Sequence, residues 1–404
     1  PECPLDVVTS PRPLRLNCVL SNSAGFGGCN AAVVLERCRK PEARSQNSES
    51  SASASFHPQP TADSLQSSHP STVLITGFGV ISALGADAEE NAAALQEGEP
   101  ALFPLARFVL PEAGEPPQAG EAPELDLAAC GVSPKSYLDR ASQLFLGACG
   151  MAFQRADLNA EKLAALQAGV MSGTAWGCMT TAETFFADYI LKGPRLVKPF
   201  LFPHAYSNTA VSLAAMEWSL KGPHENVAAS VCAAGIALVE AFDLIRSGHA
   251  NVIAAGGSEA LSATSLRARA AAGVTAPAGE GAAMLVLESE GSATERGATT
   301  RGRVLGCGLA VTPQAAAAAA LAQAGIADTA LSAVYANAAA RPAAEGLFPN
   351  VKVVVPEALC GDVQGVTTAL HLAFALLADP TGPVLILTAD VHTCVAVIAA
   401  NAEP

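Results

Sequence analysis

The stretch NVAASVCAAGIALVEAF, Asn226 to Phe242, sets a single thiol, Cys232, where a short apolar run gives way to a helical pattern. A thiol at such a turn suits covalent catalysis. The thiolate is the nucleophile, and a free thiol with a pKa of ~8.5 supplies only a few per cent of it at neutral pH. A helix N-terminus favours the anion by roughly 0.3–1 kcal/mol. The small residues that follow, Ala233, Ala234 and Gly235, leave room beside the sulfur and let backbone N–H groups form an oxyanion hole. Without that context, a buried cysteine is simply a small hydrophobe.

A proton-transfer partner would have to come from His57, His69, His204, His224, His249, His371 or His392. The first two lie in a polar tract, His249 in a turn and His371 inside a helical stretch, so the last two read as structural or solvated. His204 lies in FPHAYSN. The eleven cysteines are scattered with no CxxC pair, so neither a metal site nor a disulfide framework is signalled. A reducing, cytoplasmic compartment is the default, and no cofactor is expected.

The elements that must position these groups are legible in outline. The chain has 404 residues, 50% hydrophobic, with 34 glycines and few aromatics, which suits small side chains packed in layered α/β structure. Its net charge is −14 and it has no basic run, so nucleic acid and anionic membrane surfaces are poor partners. Lys192, Arg195 and Lys198 form the one visible basic row. No apolar run reaches membrane-spanning length. Strand patterns fall at 71–85, 168–174, 226–231, 251–257, 282–288, from Arg303, near 331–336, at 351–355 and within 384–399. Helical patterns fall at 88–97, 138–155, 178–192, 209–220, 313–325 and 364–377. Residues 39–70 are rich in Ser, Pro and Gln and read as a disordered linker. The chain starts at Pro1, which suggests a fragment of a longer protein.

Several stretches together resemble the β-ketoacyl-acyl-carrier-protein synthases, the condensing enzymes of fatty acid and polyketide assembly. They are VLITGFGVISALG, GPRLVKPFLFPHAYSN, SVCAAGIALVEAFDLIRSGHANVIAAGGSEA and AGEGAAMLVLE. The resemblance implies a thiolase-like five-layer α/β/α/β/α fold built of two similar halves, here 71–300 and a shortened 301–404, and usually a dimer. It implies that Cys232 stands at the position that takes an acyl chain from acyl-carrier protein. The family also uses two histidines, to decarboxylate a malonyl unit and stabilise the enolate. Ala339, in YANAAARPAAEG, stands at the first of these positions. In PEALCGDVQGV, Asp362 stands at the second, and Glu357 where the family has lysine; Gly361 and Gly365 keep the spacing. Alanine donates nothing, and a carboxylate repels an enolate. Such losses cost several kcal/mol of barrier. The stretch SATSLRARAAAGVTAP, Ser262 to Pro277, looks shortened against the family.

The family's closing gate, Gly-Phe-Gly-Gly, is absent at 388–394, where His392 lies, but Gly25, Phe26, Gly27 and Gly28 reproduce it near the start of the chain. Two explanations compete: a circular permutation, or a tandem fusion in which 1–38 is the C-terminal hairpin of an upstream ketosynthase. The second closing hairpin at 384–399 favours the fusion. The expected function is a non-condensing partner, like a polyketide chain-length factor, that pairs with an active synthase as a heterodimer or fused pseudo-dimer and works with acyl-carrier protein. The alternatives are an acyltransferase or condensing enzyme that uses Cys232 covalently, or a decaying copy without function.

Overall fold

The computed structural model describes residues 18–24, 30–36, 71–110 and 114–402. The chain divides into two units, Pro1–Gln66 and Ser67–Pro404. In the first, β1 (Cys18–Ala24) pairs antiparallel with β2 (Asn30–Glu36) as a two-stranded sheet. Gly25, Phe26, Gly27 and Gly28, and the 39–70 tract, lie outside the described residues.

The second unit opens with β3 (Val73–Ile81) and α1 (Ala88–Glu97), then β4 (Phe103–Pro104) and β5 (Gln118–Gly120). Next come α2 (Arg140–Arg155), α3 (Ala160–Ala165), β6 (Gly169–Thr174), α4 (Met179–Lys192), α5 (Thr209–Glu217) and β7 (His224–Ala228). They are followed by α6 (Ala233–Arg246), β8 (Val252–Glu259), α7 (Ala263–Ala271), β9 (Ala278–Gly279), β10 (Gly281–Ser289) and α8 (Glu290–Glu295). The remainder is β11 (Gly302–Ala310), α9 (Pro313–Ala324), β12 (Ala333–Ala336), α10 (Arg341–Leu347), β13 (Lys352–Val354), α11 (Glu357–Cys360), α12 (Thr367–Leu377), β14 (Val384–Ala389) and β15 (Cys394–Asn401).

Ten of these strands form one mixed sheet in the order β13-β12-β14-β15-β11-β3-β10-β8-β6-β7. It is two copies of one five-stranded plan. In each, two antiparallel pairings (β3-β10-β8 and β11-β15-β14) are followed by two parallel ones (β8-β6-β7 and β14-β12-β13). The copies meet where Gly302–Val304 pairs with Val73–Ile75. Strands such as Val252–Glu259 and Val384–Ala389 are buried throughout, as expected for strands covered on both faces.

Three apolar cores account for the layering. One, around Phe145, Phe153 and Trp218, lies under α2 and α5. A second, around Ala316, Ala320 and Phe348, lies under α9 and α10. The third joins Leu238 and Phe242 of α6 to Leu370 and Phe374 of α12, between the two half-sheets. Helix α12 is buried from Thr367 through Leu376, the pattern of a helix enclosed on all sides. His371 is 0% exposed within it, so the solvated reading of that residue fails.

Strands β14 and β15 fill the second half-sheet between β12 and β11. Two elements had no clear sequence signal. Strands β4, β5 and β9 form a small sheet, but two or three residues leave no alternation to read. The shortened 262–277 stretch folds as α7, opened by a capping box between Ser262 and Ser265.

Candidate functional site

Cys232 is the N-cap residue of α6 (φ −86°, ψ −2°), just after β7 and the turn through Ser230. The turn can pack there only because its neighbours lack side chains. A Cβ on Gly173, in β6, would fall 2.0 Å from the Ala234 nitrogen; one on Gly235 would fall 2.6 Å from Thr368 Oγ1. The start of α6 is thereby pressed against β6 on one side and α12 on the other.

The thiol is fully buried. Its Sγ donates to the carbonyl oxygen of Thr393 at 3.3 Å and, more weakly, to that of Thr388 at 3.7 Å. The turn between β14 and β15 therefore sits on the sulfur. Asp390 organises that turn: its Oδ1 accepts from the backbone N–H groups of His392 and Thr393, both at 2.7 Å, and its Oδ2 accepts from Ser230 Oγ. Burial, reinforced by the Asp390 carboxylate and by Cys394, pushes the thiol up to about 12. That rise, from 9.0 to about 12, is worth about 4 kcal/mol against the anion. It outweighs the helix-terminal effect of roughly 0.3–1 kcal/mol. At pH 7 about one molecule in 10⁵ then carries the thiolate.

Ala339 lies in the exposed turn after β12. That turn is fastened to the same end of β14 by Asn337, whose Nδ2 donates to Ala389 O and whose Oδ1 accepts from Ala389 N, each at 3.0 Å. Asp390 is the next residue, so the Ala339 turn and the cover over Cys232 share one anchor.

Asp362 is committed elsewhere. Its Oδ2 pairs with Arg269 Nη1 at 2.6 Å, and its Oδ1 accepts from Gln364 N at 3.0 Å. Gln364, at φ 45°, accepts from Trp176 Nε1. Trp176 N and Ala175 N donate to the buried carboxyl of Glu259, at 3.1 and 2.6 Å. Burial pushes Glu259 up to about 8 against those donors. Trp176, Glu259, Ser265, Arg269, Asp362 and Gln364 help enclose a cavity of about 10 Å³, the room one water needs.

A family model described as "Beta-ketoacyl synthase, N-terminal domain" matches residues 71–293. The chain belongs to the β-ketoacyl synthase family. It is 28% identical over 300 residues to chloroplastic 3-oxoacyl-[acyl-carrier-protein] synthase I of Arabidopsis thaliana, covering 66% of this chain and 61% of that protein. It is 31% identical over 284 residues to nodulation protein E of a Rhizobium species, covering 63% of this chain and 69% of that one. The chain spans about three fifths of the length of the first of these relatives. Among solved structures, the ishigamide ketosynthase/chain length factor superposes with a TM-score of 0.75 at 22% identity, over 83% of this chain and all of that one. A ketosynthase in complex with its chain length factor from Xenorhabdus doucetiae gives 0.68 at 14% identity, over 82% and 98%. The fold is the thiolase-like one of the ketosynthases.

In this β-ketoacyl synthase relative, Glu357 begins α11 and turns inward. Its Oε1 lies 3.7 Å from His371 Nε2, and its Oε2 has no hydrogen-bond partner. Burial pushes Glu357 up to about 8 and His371 down to about 3. Both are therefore predominantly uncharged at neutral pH. His204 packs edge-on against Tyr137 with ring centroids 5.3 Å apart, and His392 is exposed at the tip of the β14–β15 turn. Sequence reading missed Glu259, Arg269 and Asn337. Only Glu259 left a signal, as a carboxyl closing a strand of mostly small and apolar residues.

No helix among the described residues is long and apolar enough to cross a membrane. No cluster of metal-ligating side chains occurs among the described residues.

Proposed function

We propose that this chain is a non-condensing, chain-length-factor-like partner of an active β-ketoacyl synthase in fatty acid or polyketide synthesis. The observation that carries the reading is Asp362. At the position matching a family histidine, a carboxylate is locked to Arg269 beside a cavity with room for one water. Decarboxylating a malonyl unit and stabilising its enolate needs hydrogen-bond donors directed at the developing oxyanion. Asp362 accepts, Ala339 has nothing to donate, and Arg269 is already paired. The buried, protonated state of Cys232 points the same way.

The proposed partners are an active ketosynthase, as a heterodimer or fused pseudo-dimer, and acyl-carrier protein. Among the structural neighbours are a ketosynthase bound to its chain length factor and an acyl-carrier protein in complex with its ketosynthase. The described cysteines are free, which suits a reducing compartment such as the cytoplasm. We read 1–38 as the closing hairpin of a second ketosynthase, 39–70 as the linker, and 71–300 and 301–404 as the two halves.

The second reading, covalent acyl transfer through Cys232, is favoured by the thiol's place at the start of α6 and by the small residues after it. Intact-protein mass spectrometry after incubation with acyl-acyl-carrier protein separates the two readings. An acyl adduct that disappears in Cys232→Ala supports the transferase; an unmodified chain that co-purifies with an active synthase supports the partner.

A further inference from the structure

Glu357 occupies a junction. It belongs to the segment that continues through Cys360 and Gly361 to Asp362 and Gln364. The backbone amide of Ala338, beside Ala339, acts on its carboxyl. On its remaining side stands His371 of α12, 3.7 Å away. The carboxyl therefore lies between the turn that carries Ala339 and the central helix, on the same segment as Asp362. We propose that Glu357 and His371 form a proton-counting latch that holds that turn and that segment against α12 while Glu357 keeps its proton and releases them when that proton leaves for solvent.

Three polar atoms of this pair are buried without a hydrogen-bond partner: Glu357 Oε2, His371 Nδ1 and His371 Nε2. Buried polar atoms without partners are uncommon and costly, and a charge there costs far more than a neutral group. A protonated Glu357 needs a shift of less than an ångström to donate to His371 Nε2 at ordinary hydrogen-bond length. A carboxylate facing a neutral imidazole acceptor has no such option. The titratable and charged groups acting on Glu357 supply no cation. Asp362 opposes its ionisation, Cys360 is a buried neutral thiol, and the only charge-favouring contacts are the backbone amides of Ala338 and Glu357. His371 is shifted by burial alone.

The proton count fixes the sign. Released, the pair holds two protons below pH ~4.5, one between ~4.5 and ~6.5, and none above, from ordinary values for Glu and His. Latched, it holds one proton from about pH 3 to about pH 8, because His371 is pushed down and Glu357 up to those values. The latch is therefore indifferent to pH between ~4.5 and ~6.5 and weakens about tenfold per unit on either side, down to ~3 and up to ~8.

The test is hydrogen exchange of the whole chain, read as protection factors for 337–340 and 357–366 from pH 4 to 9. Both segments are expected to lose protection together, about tenfold per unit between ~6.5 and ~8. In Glu357→Gln protection stays level above pH 6.5; in His371→Asn the decline begins near ~4.5 instead. Identical profiles in the wild-type chain and Glu357→Gln, or separate release of the two segments, overturn the latch. The ¹⁵N shifts of His371 in the unaltered chain give a check that needs no variant. A neutral ring down to pH 4 is expected, and an imidazolium signal at pH 6 overturns the proposal.

Discussion

Arg269 Nη1 and Asp362 Oδ2 are 2.6 Å apart, joining α7 to the turn before α12 across 93 residues of sequence. Arg269 is 8% exposed, and its Nη2 also donates to Ala276 O at 2.9 Å. The pair fixes the floor of the candidate site. Arg269→Ala removes the cation that pairs with the part-buried Asp362 carboxylate and the donor to Ala276 O, and is expected to destabilise the chain by about 1 kcal/mol in denaturant unfolding. Asp362→Asn keeps the acceptor for Gln364 N and is expected to cost less.

The Asn337 side chain brackets Ala389 from both sides, through one donated and one accepted hydrogen bond. Asn337→Ala leaves a buried N–H and a buried C=O without partners, and a loss of about 2 kcal/mol or more is expected. The same change frees the β14–β15 turn. Protease cleavage or hydrogen exchange at 389–393 should rise together with the loss of stability.

The Cys232 thiol is held up by burial first and by Asp390 second. Alkylation of the folded chain at Cys232 should therefore be slow at pH 8 and accelerate about tenfold per pH unit above it. Asp390→Asn removes a negative charge yet keeps an oxygen acceptor for the turn. It should lower the thiol's pKa and raise the alkylation rate at fixed pH. A rate equal to that of a free thiol at pH 8 contradicts the buried-thiol account.

The strand segments of the large sheet and the position of Cys232 were readable because both rest on local pattern. Apolar runs bounded by glycine mark the strands, and small residues after a strand mark the start of α6. The cover over Cys232 was not readable. It depends on Thr388 and Thr393, 156 and 161 residues from the thiol, and no local pattern records that approach. The ordinary expectation that a helix start lowers a thiol's pKa failed for the same reason, since burial by a distant turn reverses it. Arg269 was hidden in a stretch recognised only as short. His371 was ambiguous because a histidine in an apolar helix reads alike whether it faces solvent or core; only the packing of α12 between the half-sheets decides.

The central claim is that this chain does not condense by itself. Its most direct test supplies the purified chain with acyl- and malonyl-acyl-carrier protein and follows β-ketoacyl product and carbon dioxide by mass spectrometry. The account predicts neither product from this chain alone, and β-ketoacyl product only when an active synthase is added. β-Ketoacyl product formed by this chain alone, and abolished by Cys232→Ala, contradicts it.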